Sequence, residues 1–528
     1  MHAKRDSRDS EPAGFGLSKH LRAVWRARRS NRRKQVNVVE ALLYLADIEL
    51  GAPSALRDHL QHGVAVHTSA LLREEQRASE IAFELGNATA MYATGTMAQG
   101  LNLPATAVVI GGTEIGYDTT SSLQQRRDQT RAQLLNAIGR AGRAHIAPRS
   151  MAVVVPNKAL VLSSAADAHK AVQRAEFLQD EDASSELTSA LDGLIADVIS
   201  GELAVDTLTA AEHTAFSFLT FEDSDEDETR QVVAKTWAVH RAHAEPLVSE
   251  ITRGLATAGN AFLQAADAPS WVALAAHQSG IALPETASLY HGLRAQLTAA
   301  PGPDTIPDWA DVMLDLLSQL SGPQLRRLLP NAPYGTSRLA NIYSDDNTVR
   351  TRSWAAYRTA LRARLVGDPI ISIADHIHAK SVAASAKRGP QDPIPRTIAI
   401  TSDAFRFGLT LVAGVLAAIT TLGREHDSNG PRHLPDDAFR TLTLLPLAVR
   451  SGASTPEVLG WIRAGVHSRV AAHQLNQVLP ASPGQSDEDL RRWAYGRLNE
   501  LIDGAMPGLT TAEEERMVEA LRLVRGAR

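Results

Sequence analysis

The chain has 528 residues with 44% hydrophobic and 21% charged residues, enough for two to four domains with buried cores and no composition typical of a disordered or fibrous protein. It has no cysteine, which excludes a disulfide framework, a thiolate zinc site and thiol catalysis, and fits a reducing cytoplasmic setting. The net charge of -5 conceals two opposed runs, one basic near the N-terminus and one acidic in the middle.

Residues 1–11 are polar and charged. Residues 12–39 contain no acid, while 19–34 carry Lys19, Arg22, Arg26, Arg28, Arg29, Arg32, Arg33 and Lys34. Residues 1–34 are therefore expected to form a basic, disordered arm. Such an arm either stays solvated or contacts phosphates, where clustered cations displace condensed counterions. There is no apolar run followed by small residues of the kind a secretory signal needs. VNVVEALLYLA, residues 36–46, has helical spacing.

From 63 to 155 the texture changes. GVAVHT, ATAMYAT, TAVVIGG and MAVVVP read as short buried strands, and LLREEQRASEIAFEL and LQQRRDQTRAQLLNAIGRAG read as helices between them. This alternation predicts an α/β unit with a parallel sheet and flanking helices, spanning 35–165. Ligands of such sheets bind beyond the C-terminal ends of the strands. The informative segments, MYATGTMAQGLNLPA at 91–105 and LLNAIGRAGR at 134–143, sit at element ends and in the adjoining loops.

These two segments resemble motifs V and VI of superfamily 2 nucleic-acid helicases of the superkiller-like branch. The resemblance covers residues 55–160 closely and the rest loosely. It implies a second RecA-like domain, which would open before residue 50 and is expected to be truncated at its N-terminal side. In motif V, small hydroxyl residues after a strand let Thr94, Gly95 and Thr96 approach backbone phosphates. Gly100 relieves the turn, and Asn102 offers a donor and an acceptor to a nucleotide cleft. His67, at the turn after its strand, matches the family's histidine and is assigned a positioning role beside nucleic acid. In motif VI, the resemblance implies that Asn136, Gly139, Arg140 and Arg143 face the nucleotide and that at least one arginine stabilises charge during phosphoryl transfer. The family usually begins this motif with Gln, where this chain has the shorter Asn136.

No G-x-x-x-x-G-K-[ST] loop occurs in the 528 residues. Strings at Asp180–Asp182, Asp225–Glu228 and Asp487–Asp489 superficially resemble a DExD/H box, but they come after motif VI and read as solvated loops. The expectation is an ATP and Mg2+ site shared with a phosphate-loop-bearing RecA-like domain in another chain or a missing N-terminal half, with DNA or RNA as partner. Alone, this chain is expected to be inactive as a nucleoside triphosphatase. The alternatives are a non-enzymatic nucleic-acid-binding or assembly protein derived from a helicase, and an inert gene fragment.

Residues 222–228, EDSDEDE, place six carboxylates in seven positions and suit a solvated loop. Beyond 165 the chain reads as a large, mostly α-helical region divided at 166–300 (winged-helix-like), 301–390 and 391–528. The prolines of PGPDTIPDW (301–309) and KRGPQDPIPR (387–396) mark the joints. The apolar run Phe407–Leu422 has about 16 residues against the ~20 that cross a bilayer, and is read as a buried helix with no membrane span. In 445–474, a helix is expected to be capped at Ser454 or Thr455 with Pro456 in its first turn, and Trp461, Arg463, His467 and Arg469 are weighed as core against an aromatic and cations near a strand. The 18 histidines show no metal-ligand spacing, and no metal site is expected.

Overall fold

The computed structural model describes residues 37–94, 105–111, 137–138, 151–155, 191–201, 243–300, 302–329, 339–378, 393–426, 434–481, 486–503 and 511–525, with isolated positions between 203 and 240. These residues are mostly helical, with two small parallel sheets. The basic arm and the 222–228 acidic run lie outside them.

The first helix, α1 (37–50), is apolar on nearly every side, and it is buried accordingly. Val38, Val39, Leu42 and Leu43 pack with Leu56, Ala78 and Ile81. Ala41 and Leu45 join a different core containing Trp461, Leu475, Leu498 and Leu521. Leu50, at its end, joins the large core. One helix thus serves three cores, and it ties the α/β segment to the C-terminal end of the chain.

The α/β segment runs α2 (Leu56–Gln61), β1 (Val64–His67), α3 (Arg73–Glu84) and β2 (Ala90–Ala93). β1 and β2 are parallel, in register from Val64 opposite Ala90 to His67 opposite Ala93, with α3 as the crossover that a parallel pair requires. Ala65, Ala82 and Ala88 form the contact between helix and strands, and their small side chains bring the backbones close. β3 (Ala107–Gly111) and β4 (Met151–Val155) make a second parallel pair. All four strands fall where the alternating pattern predicts. Among the described residues they form two separate two-stranded sheets, and the 112–150 connection lies outside those residues apart from helical Ala137 and Ile138.

The remaining described chain is helical: α4 (Leu191–Ser200), α5 (Val248–Ala265), α6 (Trp271–Ser279), α7 (Leu283–Ala299), α8 (Ile306–Gln319), α9 (Gly322–Leu328), α10 (Asn347–Leu365), α11 (Ile370–His378), α12 (Pro393–His426), α13 (Asp436–Ser451), α14 (Pro456–Ala464), α15 (Arg469–Val478), α16 (Asp487–Ile502) and α17 (Ala512–Arg525). The proline-rich joints act as helix starts. Thr305 caps α8 with Pro307 in its first turn, and α12 opens on Pro393 and Pro395, positions where a missing N–H costs nothing.

α12 is the one helix among the described residues long and apolar enough to cross a bilayer by length and composition. It also supplies Phe405, Leu409, Val412, Val415, Leu416 and Ile419 to the large core, all at most 1% exposed, and it packs along α6 and α13. A π-helical stretch, Thr401–Leu409, interrupts it. The predicted run Phe407–Leu422 is therefore the middle of a longer core helix.

α14 to α17 close the second core around Trp461, which is fully buried and meets Trp493 edge to face at 5.1 Å. Thr455, not Ser454, caps α14 by accepting the Val458 N–H at 3.3 Å, with Pro456 in the first turn. Asp487–Asp489 forms the first turn of α16 rather than a loop, as the helix dipole favours. Ser486 accepts the Asp489 N–H and Asp487 accepts from Arg440 Nε at 2.8 Å. Asp180–Asp182 and Asp225–Glu228 lie outside the described residues.

Candidate functional site

β1 and β2 end together, because their register pairs His67 with Ala93 and the Thr94 N–H then donates to the His67 carbonyl at 3.2 Å. Thr94 is thereby fixed just past the C-terminal ends of two parallel strands, exposed to solvent, where an open α/β sheet presents its ligands. Gly95, Thr96, Gly100, Asn102, Asn136, Gly139, Arg140 and Arg143 lie outside the described residues.

His67 is buried, at 9% exposure. Its Nε2 lies 3.2 Å from Glu80 Oε1 on α3, and Arg77 donates to the other oxygen of that carboxylate at 2.8 Å. Burial pushes the Glu80 carboxyl up, but the hydrogen bonds from His67 and Arg77 outweigh it and hold the group below its ordinary value. The imidazole is thus anchored inward by a carboxylate at the end of β1.

The loop from β1 to α3 is equally tied down. Thr68 Oγ1 accepts the Ala70 N–H at 3.2 Å, and Gln76 Nε2 donates to the carbonyls of Thr68 at 2.7 Å and Leu71 at 3.3 Å. Glu75 accepts the Leu72 N–H at 2.8 Å and the Ser54 hydroxyl at 2.5 Å. Glu75, Gln76 and Glu80 are functional-site neighbours that the sequence does not single out, since REEQRASE looks like any solvated helix face. The one signal it carries is the placement of Glu80 three residues after Arg77, a spacing at which the two can pair on a helix.

A second constellation joins α1 and α3 to the helical region. Glu49, at the end of α1, pairs with Arg469 at the start of α15 (Oε1 to Nε 2.7 Å), and both are buried. Its other oxygen accepts from Ser468 Oγ at 2.9 Å and the Val470 N–H at 3.2 Å. Arg469 also donates to the carbonyls of Arg364, at 2.9 Å, and Asp368. Gly452, in the left-handed region at φ +76°, makes room for it: a Cβ there would sit 2.6 Å from Arg469 Cδ. Burial, then the neighbouring Arg469, push the Arg364 guanidinium down. Trp461 and Arg469 are therefore interior residues, which decides between the two readings weighed for them in favour of the core. Fully enclosed, they have no face to offer a strand.

Glu74 on α3 is buried near this cluster, and burial, reinforced by Glu49, pushes its carboxyl up to about 7. In the unfolded chain the group ionises near its ordinary value, so between roughly pH 4.5 and 7 the folded state binds more protons than the unfolded one. Its stabilising protonated form is complete at low pH and is lost as pH rises through 7, at a cost of order 3 kcal/mol. Glu74→Gln should accordingly stabilise the chain at pH 8 and flatten that part of the stability profile. Urea midpoints at pH 5.5 and pH 8 that move in parallel for both proteins would refute this.

Among the described residues no group of His, Asp or Glu is arranged to hold a metal. No protein-family model matches the chain. Segments of it are similar to curated proteins: 28% identical over 156 residues to the probable ATP-dependent DNA helicase HFM1 of Xenopus tropicalis, covering 30% of this chain. The identity is 33% over 98 residues to the pre-mRNA-splicing factor brr2 of Schizosaccharomyces pombe, covering 19% of this chain. It is 31% over 116 residues to the RQC trigger complex helicase SLH1 of Saccharomyces cerevisiae, covering 21%. The matched stretches span 10%, 4% and 6% of those proteins, respectively.

Proposed function

From the relation of part of this chain to DExH helicases of the superkiller-like branch, we propose that residues 35–165 are a second RecA-like domain and that the chain is the C-terminal portion of an ATP-dependent nucleic-acid helicase or translocase. The observation that carries this is the pairing of β1 with β2, which sets Thr94, the first residue of the TGT run, at the open end of a parallel pair.

In this reading Thr94, Gly95 and Thr96 contact the sugar-phosphate backbone of DNA or RNA, and His67, held by Glu80, fixes the strand end behind them. Gly100, Asn102, Asn136 and Gly139 line the nucleotide side, and Arg140 and Arg143 reach the triphosphate. ATP with Mg2+ is held by a phosphate loop and carboxylates on a RecA-like domain outside these 528 residues, since no G-x-x-x-x-G-K-[ST] occurs within them. The Glu49–Arg469 joint would make the α/β segment and α14 to α17 move as one body.

The test is reconstitution. The purified chain should hydrolyse no ATP above background, with or without single-stranded nucleic acid. Addition of a polypeptide carrying the phosphate-loop domain should produce nucleic-acid-stimulated hydrolysis. Turnover by the chain alone would overturn the shared-site reading, and silence of the mixture would overturn the motor.

A further inference from the structure

A cavity of about 560 Å3 lies between the α/β segment and the C-terminal helices. Its floor is apolar, formed by Val38 and Leu42 of α1, Ile81 of α3, and Leu521 and Val524 of α17. Arg73 and Arg77 of α3 and Arg525 of α17 also line it, with Glu74 and Glu80 as its carboxylates.

These charges do not cancel. Glu80 is committed to His67 and Arg77. Glu74 is buried at 7% exposure, and burial disfavours its charged form. Arg73 forms no ion pair with a carboxylate among the described residues. Arg525 stacks its guanidinium on Tyr495, 4.5 Å from the ring centroid, and keeps a buried Nη1 with no hydrogen-bond partner. A buried guanidinium donor left unpaired in a folded protein calls for an acceptor supplied from elsewhere.

The volume falls within the roughly 300–1,000 Å3 of small-molecule sites, and an apolar floor beneath a few convergent polar groups is their usual build. We propose that this cavity binds an amphipathic organic anion, its acidic head on Arg525 and Arg73 and its apolar body on the floor between α1, α3 and α17. A neutral apolar molecule would leave the arginine donor unpaired, and a compact inorganic anion would leave the floor empty. The ligand touches both the α/β segment and the terminal helix, so it would add a bridge beside the Glu49–Arg469 joint.

The probes are 8-anilinonaphthalene-1-sulfonate and its neutral counterpart N-phenyl-1-naphthylamine, which share an apolar body and differ in the acidic head. Titrated by fluorescence into the full chain, the sulfonate should bind at a single saturable site at least tenfold more tightly than the neutral probe. Arg525→Met, which keeps the apolar stem, should weaken the sulfonate about tenfold and leave the neutral probe unchanged, while Arg492→Met, at an exposed position away from the cavity, should change neither. Circular dichroism melts establish that each variant is folded, and Arg73→Met provides the same readout should Arg525→Met fold poorly. Equal affinity of the two probes, or sulfonate binding that both cavity variants leave intact, overturns the proposal.

Discussion

Arg469→Met is expected to destabilise the folded chain by about 3–5 kcal/mol, the cost of leaving a buried carboxylate without its counter-charge. Glu49 is 6% exposed and Arg469 is 2% exposed, so water cannot replace the lost partner without opening the joint. The Ser468 hydroxyl and the Val470 N–H still donate to Glu49, which supports part of the charge but does not neutralise it. Two carbonyls, those of Arg364 and Asp368, lose their donor as well.

The double variant Glu49→Gln with Arg469→Met removes both charges and should recover much of the loss, because it is the orphaned ion and not the absent pair that is costly. Urea unfolding of the single and double variants gives the comparison. An exposed pair such as Arg492 with Glu488 provides the contrast and should be worth at most about 1 kcal/mol. A loss below that size for Arg469→Met would mean that the joint does not hold the two parts together.

Arg143→Ala should lower ATP turnover of the reconstituted assembly by about 10^3–10^5-fold, the range associated with an arginine that stabilises the charge spreading over a transferred phosphoryl group. The effect should appear in kcat more than in nucleotide affinity, since that charge develops only as the reaction proceeds. Arg143→Lys should rescue little, because a point-charge ammonium does not reproduce the planar fork. Arg140→Ala is the companion measurement, as both arginines belong to the NAIGRAGR run. If neither variant loses more than tenfold while both keep the wild-type melting temperature, the motif VI assignment fails.

Where the pattern of apolar residues is local, the sequence is legible. GVAVHT and ATAMYAT each have a strand's length and composition, and they form β1 and β2. LLREEQRASEIAFEL carries helical spacing and forms α3, and AEEERMVEALRLV forms α17. Even the cap of α14 is narrowed to two adjacent residues, because a side-chain oxygen before a proline has few other roles. The grouping of the strands into two separate pairs among the described residues is not legible, since alternation reports the spacing of apolar residues and not which edges meet.

Charged residues are the least legible. Arg469 and Arg463 lie in the same stretch and look alike in sequence, yet Arg469 is buried against Glu49, near the opposite end of the chain. Asp487 reads as part of an acidic string, yet it begins a helix and receives Arg440. Glu80 reads as solvated, yet it anchors His67.

By itself the sequence determined the strands and helices of the described α/β segment, the helical character of the described chain beyond it and the lack of a phosphate-loop pattern in these 528 residues, because each is set by residues adjacent or a few positions apart. Only the tertiary structure decided that α1 serves three cores, that His67 faces inward, and that Glu49 and Glu74 lie buried where α1 and α3 meet the helical region. The reason is that the energy of a charge depends on which distant groups exclude water from it, and local spacing carries no record of that.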